Sequence, residues 1–313
     1  MILLTGGNGF IGRALVACLE KRGLAFRATS RNASSGCVAI GDIQSVTDWS
    51  MPLRDIDVVI HLAGRAHVLK DEPDSAAAFM SINVDATMSL ARQAATLGVK
   101  RFVFVSSVKA GGAYSHTRQP LMADDRAMPA DDYGRSKLEA ERQLFALGRE
   151  TGMEVVVIRP PLVYGPGVPA NFALLLKWAG SGLPSLFGSV RNSRSLVYVD
   201  NLCDVLVRVI DHPHAANQIF LVSDGADLST AELFSRLARL QGKKPLNLPV
   251  PLPLLNGALQ LIGKSQYRER LLTNLQVDIG KTCRLLHWMP PVSPEAGMRA
   301  TVEYFKGRVH ERR

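Results

Sequence analysis

The feature that most constrains this chain is a glycine-rich turn between an apolar run and a helical pattern. The apolar run covers residues 2–5, residues 5–12 read Thr-Gly-Gly-Asn-Gly-Phe-Ile-Gly, and helical periodicity follows over residues 11–21. Gly6 can make a tight turn, Gly9 lets a pyrophosphate approach the backbone, and Gly12 allows the helix to pack closely on the strand. Because N–H groups at a helix start attract anions, the turn predicts dinucleotide binding by Gly6, Gly9, Phe10, Ile11 and Gly12.

The same alternation of short apolar runs and amphipathic helical patterns continues along the first half of the chain. Strands are predicted at residues 2–5, 25–30, 58–62, 102–106 and 155–159. Helices are predicted between them at residues 11–21, 76–97 and 133–151. This order predicts an α/β fold of the Rossmann type, a doubly wound parallel sheet covered by helices on both faces.

The texture changes after Pro160, where loops rich in Gly and Pro cover residues 164–169 and 180–188. We therefore expect a dinucleotide-binding domain over residues 1–163 and a smaller C-terminal substrate-binding domain over residues 164–313. Residues 196–210 have a helical pattern and residues 219–222 have a strand pattern. We expect the segment 196–222 to return to the first domain and complete its sheet.

Composition excludes several other classes of protein. The 313 residues are 47% apolar, and the net charge of +9 comes from dispersed basic residues, so we expect an anionic small substrate and no nucleic-acid partner. The four cysteines are isolated, which favours reduced thiols and no metal site. No segment resembles a signal peptide, and prolines interrupt the apolar residues 246–262, so we expect a cytoplasmic protein without membrane contact.

The end of the second predicted strand bears on which dinucleotide binds. Enzymes that use NAD usually have an acidic residue there, which accepts hydrogen bonds from the ribose 2′-hydroxyl group. This chain has Ser30 and Arg31 instead, and a hydroxyl group and a cation can hold a 2′-phosphate. The pair favours NADP(H). If Arg31 is only a solvated surface residue, NAD(H) remains the alternative.

A Ser-Tyr-Lys set indicates the chemistry. Tyr133 and Lys137 are four residues apart at the start of a predicted helix, so both project from one face. We expect the Lys137 cation to lower the pKa of the phenol, so that Tyr133 can act as a proton donor near the working pH. Ser107 follows a predicted strand at the edge where parallel sheets bind ligands, and its hydroxyl group can bond a reacting carbonyl. The set predicts hydride chemistry on a carbonyl or an alcohol.

With these residues, the chain resembles the extended short-chain dehydrogenase/reductase family, in particular its nucleotide-sugar epimerase, dehydratase and reductase branch. The matching motifs are TGGNGFIG at 5–12, GDI at 41–43, HLAG at 61–64, Asn83, SS at 106–107, YGRSK at 133–137 and RPPLVYGPG at 159–167. The resemblance implies further cofactor contacts, with Tyr133 and Lys137 among them. Asp42 and Ile43 would meet the adenine, Leu62, Ala63 and Gly64 would line the cofactor together with Asn83, and Pro160 would touch the nicotinamide end.

The second half also resembles the nucleotide-sugar branch. Its motifs are Asn-Phe at 171–172, RSLVYVDNL at 194–202 and residues 275–297. The resemblance implies that Asn171 and Arg194 bind the nucleotide and diphosphate of the substrate, with Arg270 as a further phosphate ligand and Ser107 at the sugar. Arg194 could instead form a structural ion pair. The family also implies a homodimer, formed by the helices predicted at 76–97 and 133–151.

Departures from the family narrow the reaction. Dehydratases follow the catalytic Ser or Thr with an Asp-Glu pair, whereas Val108 and Lys109 follow Ser107 here, so dehydration is not expected. We predict an NADPH-dependent reductase of the C4 keto group of a nucleotide-linked 6-deoxy-hexosulose, such as a UDP-4-keto-6-deoxy-N-acetylhexosamine, in surface-polysaccharide synthesis. The first alternative is an NAD-dependent UDP-hexose 4-epimerase, which would share every catalytic residue. The second is a dinucleotide-binding sensor without activity, although such sensors usually lose the Tyr or the Lys.

Overall fold

The computed structural model describes residues 1–32, 36–66, 75–117, 119–261, 268 and 271–310. Among these residues, seven strands form one parallel sheet in the order β3-β2-β1-β4-β5-β6-β9, and two more pair as β7-β8. The strands are β1 (Ile2–Thr5), β2 (Phe26–Ser30), β3 (Cys37–Ala39), β4 (Val58–His61), β5 (Arg101–Val105), β6 (Glu154–Arg159), β7 (Leu162–Tyr164), β8 (Leu196–Tyr198) and β9 (Gln218–Leu221). The predicted α/β fold of the Rossmann type is confirmed.

Helices follow most of the strands. They are α1 (Phe10–Lys21), α2 (Ser75–Met80), α3 (Ala86–Thr96), α4 (Val108–Gly111), α5 (Asp132–Thr151), α6 (Ala170–Ser181), α7 (Val199–Arg208), α8 (Thr230–Leu240), α9 (Leu252–Leu261), α10 (Gly280–Leu286) and α11 (Pro294–His310). Helix α5 begins at the N-cap Asp131 and ends at Gly152, which adopts the left-handed conformation that ends many helices. No helix within the described ranges is both long enough and apolar enough to cross a membrane.

The core lies on both faces of the large sheet. Leu4, Ile60 and Val156 point into one hydrophobic cluster with residues of α1 and α7. Their chain neighbours Leu3 and Val59 point into the opposite cluster, which includes residues of α3 and α5. Because every second side chain faces the same way, burial on both faces requires the nearly continuous apolar runs from which the strands were predicted.

Two predictions of local structure need correction. The helix predicted at residues 76–97 is interrupted by a π-helical turn over Ser81–Asp85, and the buried Asn83 of this turn makes hydrogen bonds to the loop after β4. The helix predicted at 196–210 begins only at Val199, because Leu196–Tyr198 is a buried strand that pairs in parallel with Leu162–Tyr164. An apolar run of three residues that leads into an amphipathic helix does not reveal this boundary.

The segment after β7 contributes to two parts of the molecule. Helix α7 packs against α1, and β9 pairs with β6 as the last strand of the large sheet. Helices α6 and α8 pack against each other, and α11 contacts α8 and the β7–β8 pair. The division into domains at residues 1–163 and 164–313 stays a prediction.

Candidate active site

The glycine turn has the geometry that a bound pyrophosphate requires. Gly6 has φ +73°, a left-handed conformation that glycine adopts without strain. A Cβ atom on Gly12 would lie 2.1 Å from the carbonyl oxygen of Gly6, so α1 could not pack this closely with any other residue. Gly9 is the N-cap of α1 and supplies no side-chain acceptor, which leaves the N–H groups of the first turn available to an anion. This turn, called the glycine cradle below and formed by residues 6–12, therefore fits a dinucleotide.

At the end of β2, the predicted 2′-phosphate ligands have partners of their own. Ser30 is buried, and its Oγ donates a hydrogen bond to the carbonyl oxygen of Asn32 at 2.6 Å. The Arg31 Nε lies 2.6 Å from Oδ1 of Asp42, and both side chains are exposed. Asp42, predicted to meet the adenine, thus places a carboxylate beside the cation that was predicted to attract a phosphate. Ile43 packs on the core next to it.

Asn83 holds the loop that follows β4. Its Oδ1 accepts the N–H of Arg65 at 2.9 Å, and its Nδ2 donates to the Arg65 carbonyl oxygen and to the Ser136 Oγ, both at 3.0 Å. Residues 62–64 are thereby fixed beside the glycine turn, where the Ala63 N–H donates to Oγ1 of Thr5 at 3.2 Å. A Cβ on Gly64 would lie 3.3 Å from Nζ of Lys137, which shows how near this loop comes to the Ser-Tyr-Lys set.

Ser107, Tyr133 and Lys137 come together at the carboxyl edge of the sheet. Ser107 is the N-cap of α4, Tyr133 is the second residue of α5, and the Ser107 hydroxyl group lies close enough to the phenol to influence its pKa. Lys137 lies one turn further along α5, where it is buried. Its Nζ donates to the carbonyl oxygen of Val105 at 3.1 Å and lies 4.5 Å from the centroid of the Phe104 ring. Pro160 follows β6, and its carbonyl oxygen accepts a hydrogen bond from the N–H of Val108 at 2.9 Å, next to this set.

The expectation that Lys137 lowers the pKa of Tyr133 is not met by the protein's own groups. Burial and the negative charge of Asp131 raise the pKa of Tyr133 to about 12, although the hydrogen bond with Ser107 opposes the rise. Burial also lowers the pKa of Lys137 to about 8, against the attraction of Glu141. The lysine is therefore close to titration in the neutral range. A phenolate at Tyr133 requires further positive charge beside it.

A buried ionic network behind the site was not found from the sequence. The Ser106 Oγ donates to Oε1 of Glu141 at 2.5 Å, and Nε of Arg159 donates to the same oxygen at 3.0 Å. The Arg159 Nη2 lies 2.5 Å from the other oxygen, and both charged side chains are almost fully buried. Glu141 lies four residues after Lys137 and so continues the face of α5 that carries Tyr133 and Lys137, which is a signal that the sequence did contain.

The predicted substrate ligands lie in the second half of the chain. Asn171 is half-buried at the start of α6. The Arg194 Nη1 donates to the carbonyl oxygen of Thr273 at 2.9 Å, and the Arg194 backbone pairs with Leu228. Arg270 lies outside the described residues. A cavity of about 530 Å³ lies in the same half, and its lining includes Arg191, Asn192, Glu232, Arg236, Arg239 and Asn247 but not Arg194.

His61 has a structural place in the core. Its Nδ1 is 2.8 Å from Oγ1 of Thr5, and its Nε2 is 3.0 Å from Oγ1 of Thr87. Burial and the charge of Lys137 lower the pKa of His61 to about 3, which keeps the ring neutral. Within the described part of the chain, no group of three His, Cys, Asp or Glu side chains could hold a metal ion.

Sequence comparisons identify a family and several similar proteins. Residues 2–223 match the NAD dependent epimerase/dehydratase family. UDP-glucose 4-epimerase of Vibrio cholerae is 45% identical over 311 residues, which cover 97% of this chain and 95% of that protein. The N-acetyl-alpha-D-glucosaminyl-diphospho-ditrans,octacis-undecaprenol 4-epimerase of Escherichia coli O157:H7 is 26% identical, over 82% of this chain and 77% of that protein.

Solved structures give the same picture of the fold. UDP-glucose 4-epimerase of Thermotoga maritima, solved with UDP-glucose, superposes with a TM-score of 0.79 at 25% identity and covers 98% of this chain and 99% of its own. UDP-glucuronic acid 4-epimerase of Bacillus cereus, solved in complex with NAD, also reaches a TM-score of 0.79, at 23% identity and with the same coverage.

Proposed function

Because the chain belongs to the NAD dependent epimerase/dehydratase family, we propose that it is a UDP-hexose 4-epimerase that uses NAD. The observation that carries the chemistry is the placement of the Tyr133 phenol beside Ser107 and one helical turn before the buried Lys137, at the carboxyl edge of the sheet. The 45% identity to a UDP-glucose 4-epimerase favours the epimerase over the reductase that the sequence predicted first. None of the four relatives named above is described as a reductase of a 4-keto sugar, so the NADPH-dependent reductase stays the weaker hypothesis.

The surroundings of Arg31 also favour NAD over the NADP(H) that the sequence indicated. The Asp42 carboxylate lies 2.6 Å from the guanidinium, so the pair carries no net charge toward a 2′-phosphate. A carboxylate next to the adenosine ribose repels that phosphate, whereas it can accept a hydrogen bond from the 2′-hydroxyl group of NAD. We infer that Asp42 takes the part of the acidic residue that is missing from the end of β2.

Three side chains divide the chemistry in this proposal. When bound, NAD⁺ supplies the acceptor and later the donor of the hydride at C4 of the sugar, together with a positive charge beside the phenol. Tyr133 removes the proton of the C4 hydroxyl group as a phenolate and later returns a proton to the same oxygen. Ser107 donates a hydrogen bond to that oxygen, and Lys137 holds the ribose next to it. Loss of the phenol should therefore remove turnover and leave the cradle for the dinucleotide intact.

The substrate is proposed to be bound by the second half of the chain. Its diphosphate would meet Arg194 and Asn171, which lie after β7, and Arg270 remains a further candidate. The cavity lined by Arg191, Arg236 and Arg239 contains one glutamate, Glu232, against these three arginines, which suits an anionic ligand. By the same resemblance we propose a homodimer formed through α3 and α5, for which sedimentation velocity is the direct measurement.

The deciding experiment follows both sugars and the cofactor. The purified protein is incubated with UDP-galactose, and UDP-glucose is measured by chromatography; the bound dinucleotide is identified after acid release. We expect interconversion to a fixed ratio, retained NAD and no net use of NADPH. The Tyr133→Phe variant should give no product, while Tyr304→Phe, on the exposed surface of α11, serves as the matched control. If the protein instead oxidises NADPH while it reduces a UDP-4-keto sugar, and does not interconvert UDP-hexoses, the reductase hypothesis would be correct.

A further inference from the structure

We propose that Lys109 is a positioning residue that holds Ser107 against Tyr133 and cancels the negative charge of Asp131 beside the phenol. Lys109 contacts both segments of the Ser-Tyr pair. Its backbone N–H donates to Oγ of Ser107 at 3.2 Å. Its ammonium group forms an ion pair with Oδ2 of Asp131.

Asp131 connects this ion pair to the tyrosine helix. Its Oδ1 accepts the N–H of Gly134 at 2.7 Å and so caps α5, in which Tyr133 is the second residue. The two Asp131 oxygens therefore have different partners, the helix on one side and Lys109 on the other. A change at Lys109 reaches Tyr133 through this carboxylate.

The backbone of Lys109 also rests on the tyrosine helix. A Cβ on Gly134 would lie 2.5 Å from the carbonyl oxygen of Lys109, so α4 approaches α5 closely because residue 134 is glycine. This approach brings Ser107, the N-cap of α4, close enough to Tyr133 to influence the pKa of the phenol. Lys109 thus joins the two helices at the place where the two hydroxyl groups meet.

The charge of Lys109 should affect the pKa of Tyr133 in one direction, which can be measured. Asp131 raises the pKa of Tyr133. An ammonium group paired with that carboxylate should oppose the effect as long as the ion pair exists. Helix α2, which packs Phe79 against the phenol, contains no ionisable side chain. On the other described elements next to Tyr133, the ionisable residues are Lys109 on α4, Asp131 at the N-cap of α5, Asp85 on the π-helical turn, and Asp132, Arg135, Lys137, Glu139 and Glu141 in the first half of α5.

The inference rests on the proposed function, in which Tyr133 reacts as a phenolate. Lys109→Met leaves Asp131 without its counter-charge, so the limb of kcat/KM that depends on the phenolate should move to higher pH. At neutral pH we expect a loss of roughly threefold to tenfold, because one unit of pKa changes the ionised fraction about tenfold. Lys109→Arg keeps the charge and should restore the rate. Lys100→Met removes an exposed ion pair with Asp57 elsewhere and is the matched control.

The double variant separates charge from structure. Asp131→Asn keeps a side-chain acceptor for the helix cap and removes the negative charge. In the double variant Lys109→Met/Asp131→Asn, we expect the pH dependence of kcat/KM to return close to that of the wild type. A uniform loss at every pH in Lys109→Met, not recovered in the double variant, would overturn the proposal.

A second readout does not need the substrate. With ¹³Cζ-tyrosine in protein saturated with NAD, the Tyr133 resonance is assigned by its absence from Tyr133→Phe. It should titrate at higher pH in Lys109→Met than in the wild type, whereas an unchanged titration would refute the charge effect. If the wild type fails to interconvert UDP-hexoses, the proposed function fails, and this titration still decides the role of Lys109.

Discussion

In the half predicted to bind the dinucleotide, the glycines of the turn lie within seven positions of one another, from Gly6 to Gly12, and their requirements are steric. In the half proposed to bind the substrate, Arg194 is held by Thr273 through its side chain and by Leu228 through its backbone. The first arrangement is local and can be deduced from a motif. The second depends on which distant segments of the chain meet, so a sequence motif of the same length carries less information about its geometry.

The largest expected effect is that of Tyr133→Phe, which tests whether the cofactor and the substrate react at this one phenol. Tyr133→Phe removes the proton acceptor and should lower kcat by about 10² to 10⁴, the usual range for a general acid–base residue. The melting temperature and the retained dinucleotide should stay as in the wild type, because the phenol is not part of the glycine cradle. Steady-state kinetics and acid release of the cofactor are the measurements. A variant with a near-normal rate would remove Tyr133 from the mechanism.

The next effect tests the steric requirement for glycine in the turn before α1. Gly12→Ala places a methyl group where a Cβ would be 2.1 Å from the Gly6 carbonyl oxygen. Forcing α1 away should destabilise the fold by about 1 to 3 kcal/mol or more and weaken dinucleotide binding. Denaturant unfolding and cofactor titration are the measurements.

Gly307→Ala is the matched control for that substitution. Gly307 is an exposed residue of α11, and a Cβ there would meet no atom within 4 Å. Alanine should stabilise this helix by about 0.5 to 1 kcal/mol, since glycine is the poorer helix former. Equal effects of the two substitutions would show that close packing does not set the requirement at Gly12.

The sequence predicted the fold better than the site. The five strands predicted in the first half lie within one residue of the observed ones, because burial on both faces leaves a continuous apolar run. The edge strand Cys37–Ala39 was missed because it is half-exposed, and Leu162–Tyr164 was missed because three residues are too few for a pattern.

Within the site, spacing predicted that Ser107, Tyr133 and Lys137 would come together, but not their electrostatics. The shift in the pKa of Tyr133 depends on burial and on Asp131, two residues earlier, more than on Lys137. The paired state of Arg31 likewise depends on a loop that brings Asp42 back to the end of β2. Such effects follow from three-dimensional distance, and a motif does not specify them.

A third prediction tests the long-range half of the comparison. Arg194→Met should raise KM for a UDP-hexose about tenfold, the effect of losing one charge-assisted hydrogen bond, and leave dinucleotide affinity unchanged. Initial rates over a range of substrate concentrations measure the change. If the melting temperature falls while KM stays constant, Arg194 serves only to hold Thr273, and the family role does not apply to it.

The smallest expected effect concerns the ion pair between Arg31, at the end of β2, and Asp42, which lies eleven positions later in the chain. Asp42→Asn removes the carboxylate and leaves the guanidinium free for a 2′-phosphate, so the affinity ratio of NADP⁺ to NAD⁺ should rise. Because both side chains are exposed and screened by solvent, the rise should be about twofold to fivefold. Fluorescence titration with both dinucleotides measures it. Arg31→Met in the same chain should abolish the gain, since the phosphate then has no cation to meet; a gain that persists without Arg31 would mean that Asp42 acts by repulsion alone.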